Sequence, residues 1–231
     1  MREIVLDTET TGLNPCDGDR IVEIGAVELM GHVPTGRTFH QYINPQRPMA
    51  EEAFVVHGLG DEFLSNKPTF AEIGQAFLDF IGDAKLVIHN AAFDMGFLNH
   101  ELKMLGMPLI PDVQAVDTLH IARNRFPGAQ NSLDALCRRF GVDNSVREKH
   151  GALLDSELLA DVYLELLGGR QPGFGLASTG GLRGVGSRAV DYVPPPRPAP
   201  LPGRLTDSEK AAHAAFVQSL LGDEPMWLRS E

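Results

Sequence analysis

MREIVLDTETTG, residues 1–12, opens the chain with an apolar segment that runs directly into two acidic residues. Residues 4–6 (IVL) favour a buried strand. Side chains two apart on a strand point to the same side, so Asp7 and Glu9 are expected on one face at its end. Two carboxylates on one face repel each other unless a cation lies between them. Taken alone, the pair fits a solvated strand end or a functional site, and Gly12 permits a tight turn after it.

Residues 1–167 are predicted to form one α/β domain with a mixed sheet. Further β-rich segments at 21–30 and 38–43 favour an antiparallel meander with the first strand. A capping box at 69–72 then predicts a helix. Strands first, followed by alternating strand and helix, indicate a mixed sheet flanked by helices. The later predicted elements are a strand at 85–90, a helix at 93–105, a short segment that ends at 117, and helices at 132–140 and 151–167.

Two more segments place acidic residues at the starts of predicted helices. His89–Asp94 (HNAAFD) puts Asp94 where a buried strand passes into a helix, a frequent position for sites in α/β sheets, although a helix cap is the alternative. His150–Asp155 (HGALLD) puts Asp155 on an apolar first turn, where a carboxylate is costly unless it is paired or metal-bound. His150 precedes that helix, and its alternative is an ordinary surface histidine.

DTETTG, HNAAFD and HGALLD, in this order and spacing, resemble the three motifs of the DEDDh family of 3′→5′ exonucleases. Within that family, the chain is similar to the epsilon proofreading subunits of bacterial DNA polymerase III. The similarity runs almost continuously through residues 1–167 and returns in the tail at 211–213 and 227–229. It implies an RNase H-like fold and hydrolysis of phosphodiester bonds at the 3′ ends of DNA, with release of nucleoside 5′-monophosphates. The catalytic residues that it implies are Asp7, Glu9, Asp94, His150 and Asp155.

The resemblance also implies two divalent cations, Mg²⁺ or Mn²⁺. Four carboxylates in one pocket need such compensation, and hard oxygen ligands favour these ions over zinc. In this hypothesis Asp7 bridges both ions, Glu9 and Asp155 complete one site, and Asp94 supports the other. His150 is expected to act as the general base, since imidazole titrates near neutral pH.

Further residues are expected to contact the terminal nucleotide, again by resemblance. Phe93 has plain core packing as its alternative, and Glu52 has ordinary exposure. Residues 123–139 also hold the main concentration of basic side chains in the body, which either reach phosphates or form a solvated helix face. The expected substrate contacts are Asp7, Glu9, Asp155, Glu52 and His57 at the nucleotide, Thr10, Thr11 and Gly12 at its 3′ end, and Asn90 and Phe93 along the strand path.

The net charge of −11 is unusual for a protein that acts on DNA. Residues 1–167 carry 13 Lys and Arg against 25 Asp and Glu. Because phosphate neutralisation normally dominates nucleic-acid affinity, we expect a weak grip on a short single strand and delivery by a partner. The start of the chain lacks the apolar stretch of a signal peptide, and no run of about 18 apolar residues occurs. A cytoplasmic protein is therefore expected.

Residues 168–204 are predicted to be a flexible, disordered linker, because nine Gly and seven Pro make up much of this segment. Within it, residues 171–176 (QPGFGL) loosely resemble a sliding-clamp-binding peptide, with Gln171, Phe174 and Leu176 as the expected contacts.

Residues 205–231 form a predicted docking tail. A capping box at 206–209 precedes apolar residues at helical spacing, and a lone helix of this length cannot bury its own apolar stripe. The pattern predicts docking on another protein, with folding back on the body as the alternative, and the resemblance implies that this partner is the catalytic alpha subunit of DNA polymerase III. The expected contacts are Ala212, Phe216, Leu220 and Trp227.

Three functions remain open at this point. The first is a proofreading subunit of DNA polymerase III that removes mismatched 3′ nucleotides. The second is a free-standing DEDDh exonuclease that acts on RNA or DNA ends. The third, a non-catalytic adaptor, is disfavoured because all five motif residues are present.

Overall fold

The computed structural model describes residues 1–145, 149–169 and 206–221, the last range with side chains to residue 218. The chain separates into two compact units, Met1–Ala177 and Ser178–Glu231. The first unit contains a five-stranded sheet of order β3-β2-β1-β4-β5. Its strands are β1 (Arg2–Thr10), β2 (Ile21–Met30), β3 (Val33–Tyr42), β4 (Lys85–Ile88) and β5 (Ala115–Asp117).

The sheet is mixed, as predicted. Strands β1, β2 and β3 pair antiparallel, whereas β4 is parallel to both β1 and β5. The helices of this unit are α1 (Glu51–His57), α2 (Asp61–Leu64), α3 (Phe70–Ile81), α4 (Ala91–Met104), α5 (Thr118–Arg125), α6 (Leu133–Phe140) and α7 (Ala152–Leu166). Short 3-10 helices span Pro15–Asp17 and Asp112–Gln114. Among the described residues, no helix is both long and apolar enough to cross a membrane.

The two faces of β1 support different layers. Ile4 and Leu6 pack in one core cluster with residues of α3 and α4, among them Phe77. Val5 packs in a second cluster with Leu159 and other residues of α7. Since side chains alternate along a strand, Asp7 and Glu9 share the face of Val5 and point toward the α7 layer.

The sequence located most of these elements but missed three helices. Helices α3, α4, α6 and α7 and the strands occur where they were predicted, within a few residues at each end. Strand β3 is longer than expected and begins at Val33, and β4 ends at Ile88. Helices α1, α2 and α5 were not predicted, because each is eight residues or shorter and offers little apolar periodicity.

The tail contains the predicted capped helix, α8 (Asp207–Leu221). The Glu209 carboxylate accepts from the Thr206 backbone N–H at 2.7 Å, and the Thr206 hydroxyl accepts from the Glu209 backbone N–H at 3.3 Å, which forms the capping box. Ala212 and Phe216 are exposed on this helix. The side chain of Leu220, Trp227 and the clamp-peptide residues Gln171, Phe174 and Leu176 lie outside the described residues.

Candidate active site

The glycine at position 25 brings α7 onto the sheet beside Asp7. Gly25 pairs with Asp7 across β1 and β2. A Cβ at Gly25 would lie 2.1 Å from the backbone of Ala152 and Leu153, so only glycine allows this approach. The Ser156 hydroxyl donates to the Gly25 carbonyl at 2.9 Å and fixes the first turns of α7 there. The last helix therefore starts beside the acidic end of β1.

Glu9, His150 and Asp155 meet at this junction. One ligand atom from each lies within 4.8 Å of the others. Asp155 and Glu9 are buried, with 2% and 8% exposure. The His150 side chain is 48% exposed, and its Nδ1 lies 3.2 Å from the Asp155 Oδ2. Two buried carboxylates beside an accessible imidazole form a group that can hold a cation and also exchange a proton with solvent.

Asp94 adjoins this junction from α4. Its carboxylate accepts from the Thr8 backbone N–H at 3.1 Å and from the Thr8 hydroxyl at 2.7 Å. The N-cap position of α4 is Asn90, so the interpretation of Asp94 as a helix cap is wrong. Burial raises the pKa of Asp94 to about 7. Both of these donors are neutral, so the two contacts supply no positive charge that would keep the buried carboxylate ionised.

Asp7 is half-buried on β1, between Leu6 and Thr8 in the sequence. It occupies the same face as Glu9, two residues along β1. Asp7 and Asp94 are not in the 4.8 Å group of Glu9, His150 and Asp155. The structure therefore brings three of the five predicted catalytic residues into one group, with Asp7 on the same strand as Glu9 and Asp94 on α4.

A cavity of about 480 Å³ opens next to these residues. Its size is within the usual range for sites that bind small molecules. Most of the predicted substrate contacts line it: Glu9, Thr10, Thr11, Gly12, Glu52, His57 and Phe93. Asn90 is not among the lining residues; it is exposed, and its backbone N–H donates to the Asp117 Oδ1 at 3.2 Å.

Asp19 holds the turn that follows β1 along the cavity. Its carboxylate accepts from the Thr11 hydroxyl at 3.2 Å and from Arg47 at 2.8 Å. A Cβ at Gly12 would lie 2.3 Å from the Asp19 Oδ2. The close approach of this carboxylate, rather than a left-handed backbone, therefore favours glycine at position 12. The sequence did not indicate Asp19, because the contact spans a loop.

His57 presents a buried nitrogen at the cavity. Its Nδ1 accepts from the Leu59 backbone N–H at 3.0 Å, which leaves the proton on Nε2. That Nε2 is buried and has no hydrogen-bond partner in the part of the chain that the structure describes. Burial lowers the pKa of His57, so the ring is neutral. A bound oxygen acceptor would satisfy this donor.

Helix α1 joins the cavity to His150, and sequence reasoning missed it. The His150 backbone N–H donates to the Val56 carbonyl at 3.3 Å. Val56 and Ala53 also line the cavity. Two signals could have located the helix: acidic residues in its first turn, and Gly58 immediately after it in a left-handed conformation.

Comparison with known proteins identifies the family of this chain. The pattern of the RNase_T exonuclease family matches residues 4–163. The chain belongs to this exonuclease family. The exonuclease is 58% identical over 177 residues to the DNA polymerase III subunit epsilon of Rickettsia conorii. The alignment covers 75% of this chain and 77% of the relative. It is 52% identical over 177 residues to the corresponding subunit of Escherichia coli K12, with coverage of 73% and 72%.

Solved structures show the same fold. The nuclease domain of 3′hExo, a DEDDh family member bound to rAMP, superposes with a TM-score of 0.63 at 20% identity, covering 72% of the exonuclease and 91% of that chain. Exonuclease X in complex with 5′ overhanging duplex DNA superposes with a TM-score of 0.55 at 24% identity, covering 71% and 90%. The predicted RNase H-like fold is confirmed, and with the epsilon relatives the chain is a 3′→5′ exonuclease.

Proposed function

We propose that this exonuclease proofreads DNA replication, removing mismatched 3′-terminal nucleotides with the help of two divalent cations as a subunit of DNA polymerase III. The observation that supports this most is the position of Glu9, His150 and Asp155 beside a cavity of about 480 Å³. A cavity of this size suits one nucleotide better than a duplex. The acidic group beside it is then placed at the bond that joins the last nucleotide to the strand.

The residues of the site fit the metals that the family uses. Asp94 and Asp155 are 3% and 2% exposed, and Glu9 is 8% exposed. Carboxylates gathered at such burial favour hard divalent cations, and all four acids offer only oxygen ligands. Asp7, Glu9, Asp94 and Asp155 would hold them. Bound cations would lower the pKa of the attacking water and stabilise the charge on the leaving 3′ oxygen.

His150 would accept the proton of the attacking water. Its exposed ring reaches solvent, and its Nδ1 faces the Asp155 carboxylate at 3.2 Å. A carboxylate at this distance orients the imidazole ring. The nearby Val56 carbonyl, which accepts the backbone N–H of His150, holds the loop at the cavity.

The cavity would orient the terminal nucleotide. The turn at Thr10–Gly12 would form the wall beside the 3′ end, and the buried Nε2 of His57 would offer an N–H donor. Phe93 is half-buried in the same wall and supplies an apolar surface for the base. Glu52 is exposed at the rim, where it can accept from a sugar hydroxyl.

The epsilon relatives are named as subunits of DNA polymerase III, and the charge of this chain suits such an arrangement. An acidic body gains little affinity from phosphates, so it benefits from being tethered at the primer end. The capped helix α8 supports docking of the tail on the catalytic alpha subunit. We also propose that Gln171, Phe174 and Leu176 bind the sliding clamp.

The activity is tested with a primer–template that carries a 3′ mismatch, a matched duplex and an RNA strand of the same sequence. With Mg²⁺ or Mn²⁺, wild type should degrade the mismatched primer fastest, since its end costs less to unpair. Asp7→Asn should abolish degradation and keep the melting temperature. Full activity of Asp7→Asn would contradict the mechanism, and faster cleavage of RNA would favour the free-standing nuclease.

The partners are tested separately. Removal of residues 205–231 should abolish co-purification with the alpha subunit and leave cleavage of short single strands intact. Phe174→Ala should weaken clamp binding in the full chain without affecting alpha binding. Tight alpha binding by the truncated chain would overturn the docking proposal and leave the nuclease proposal standing.

A further inference from the structure

The basic concentration at residues 123–139 separates into different roles in the structure. Arg125 Nη1 donates to the carbonyl oxygens of Glu165 and Leu166 at 2.7 and 2.8 Å, so it caps the end of α7. The Arg139 guanidinium lies 4.4 Å from the centroid of the Phe126 ring, and its Nη2 donates to the Gln130 carbonyl at 3.1 Å. These two arginines are held in packing and are not available to a ligand.

Arg123 is different, because it lines a second cavity of about 610 Å³. Across the described ranges of the chain, it makes no hydrogen bond or ion pair. It is exposed, on the face of α5 that borders the cavity. The other lining residues are His89, Leu119, Gly128, Ala129, Asn131 and Ser132.

The remaining polar side chains of this cavity already have partners. His89 Nδ1 lies 2.9 Å from the Thr118 Oγ1, and burial lowers the pKa of His89, so the ring is neutral. Asn131 Nδ2 donates to two backbone carbonyls of its own loop, at 3.1 and 3.3 Å. Ser132 Oγ accepts the backbone N–H of Ala135 at the start of α6. Arg123 therefore supplies the positive charge of the cavity.

The sheet order places this cavity next to the catalytic residues. Strand β4 lies between β1 and β5, and His89 directly follows β4, whereas α5 directly follows β5. Neighbouring strands are about 4.8 Å apart, so the wall of the cavity begins roughly 5 to 10 Å from β1. The cavity of about 480 Å³ that Thr10–Gly12 line lies where β1 ends. The Arg123 cavity lies where β4 and β5 end. Asn90, which bonds to Asp117, lies at the edge between them.

We propose that Arg123 binds a backbone phosphate of the substrate strand on the 5′ side of the bond that is cleaved. This rests on the proposed function, which puts the terminal nucleotide in the cavity lined by Thr10–Gly12. The rest of the strand then has to leave along the carboxyl ends of the strands, and the Arg123 cavity lies where β4 and β5 end. A guanidinium matches phosphate geometry, and the amino end of α6 beside Ser132 adds a favourable dipole. Because the body is acidic, we expect this contact to fix the position of the substrate strand more than to raise the affinity for it.

The test compares Arg123→Ala with Arg138→Ala in the full chain. Arg138 is the matched control, because it is exposed on α6 and does not line the cavity. Two substrates are used with Mn²⁺: the p-nitrophenyl ester of thymidine 5′-monophosphate, which carries no upstream phosphate, and a single strand of about ten nucleotides.

Arg123→Ala should raise KM for the oligonucleotide roughly three- to tenfold, with kcat within about twofold. The slope of log(kcat/KM) against log salt should flatten by about 0.7, the value for one lost contact to a single strand. The loss should be confined to the oligonucleotide, and Arg123→Lys should recover most of it. Arg138→Ala should match wild type on both substrates.

Equal losses on the ester and the oligonucleotide would overturn the proposal, since they would show a structural or chemical effect. An oligonucleotide KM no higher than that of Arg138→Ala would also overturn it. If Arg123→Ala melts at a lower temperature than wild type, Arg123→Gln is used in its place. The ester is again compared with the oligonucleotide, and the variant with Arg138→Ala, and the same outcomes would overturn the proposal. If wild type cleaves neither substrate, the proposed function fails and the phosphate site fails with it.

Discussion

The interface between β1 and α7 buries carboxylates at both of its ends, but treats them differently. At the amino end, Glu3 is fully buried, accepts from the Tyr163 hydroxyl at 2.9 Å, and lies 2.8 Å from the His32 Nδ1. At the carboxyl end, Glu9 and Asp155 come together beside His150. One end supplies donors to a single acid, whereas the other end gathers acids.

This difference indicates what each end is for. Burying a carboxylate is costly unless donors or cations compensate it, and in the described part of the chain Glu3 has such partners in Tyr163 and His32. The other structural glutamates follow the pattern with contacts of 2.6 to 2.9 Å: Glu23 with His40, Glu28 with Arg2 and Arg37, and Glu101 with Arg20. At the carboxyl end, two acids and a histidine instead lie within 4.8 Å of one another, which fits the proposal that this end holds cations.

The largest effect on activity is expected from Asp155→Asn, which removes a carboxylate from the carboxyl end of the β1–α7 interface only. Activity on a single strand should fall about a thousandfold or more, because a ligand for the cations is lost. Stability without metal should stay the same or rise, since a like charge is removed. The matched control is Glu157→Gln, which removes an exposed charge from the same helix. Comparable losses in both variants would mean that the site depends on overall charge rather than on this carboxylate.

Gly25→Ala should disturb both ends together. The added Cβ would lie 2.1 Å from the backbone of Ala152 and Leu153, so α7 must move off the sheet. We expect a loss of about 3 kcal/mol in the free energy of unfolding, measured by urea denaturation, together with a large loss of activity. Gly96→Ala, where a Cβ meets nothing within 4 Å, is the control. An unchanged Gly25→Ala variant would show that α7 is not seated as described.

Asp94→Asn should change how the free energy of unfolding depends on pH. Burial raises the pKa of Asp94 to about 7 in the folded, metal-free protein, above that of an unfolded carboxyl. The folded state therefore binds this proton through the window between about pH 4 and pH 7, and stability falls as pH rises across it. In EDTA, Asp94→Asn should be more stable than wild type by about 4 kcal/mol at pH 8 and by little at pH 4. A constant difference at both pH values would contradict the assignment.

The smallest effect is expected at the other end. Glu3→Gln keeps the acceptor for Tyr163 but loses the charge beside His32, so unfolding should become easier by about 1 kcal/mol. Cleavage rates with saturating Mg²⁺ should stay within about twofold of wild type, since no cation is expected there. If Glu3→Gln abolished activity, the two ends would not be functionally distinct.

Much of the fold and the site could be predicted from the sequence, for local reasons. Alternation in β1 placed Asp7 and Glu9 on one face, and the capping box at Thr69 fixed the start of α3. The transition from β4 to α4 before Asp94 could also be predicted, because a short apolar segment gives way there to a helical pattern within a few residues. The predicted family is confirmed, while the individual site residues remain predictions for the experiments above.

What the sequence did not indicate depends on contacts between distant segments. Gly25 reads as a weak point in a strand, and its role appears only when α7 lies across it. Thr8 holds the Asp94 carboxylate from a position 86 residues earlier. Tyr163 reaches Glu3 across 160 residues. No local pattern carries such pairings, since they follow from how the layers pack.

Counting bound Mn²⁺ by calorimetric titration, in the presence of thymidine 5′-monophosphate, tests the central claim most directly. The account predicts two ions per chain for wild type and for Glu3→Gln, and weakened or lost binding for Asp155→Asn. Equal binding by wild type and Asp155→Asn, or none by wild type, would contradict the conclusion that the carboxyl end of the β1–α7 interface is built to hold cations.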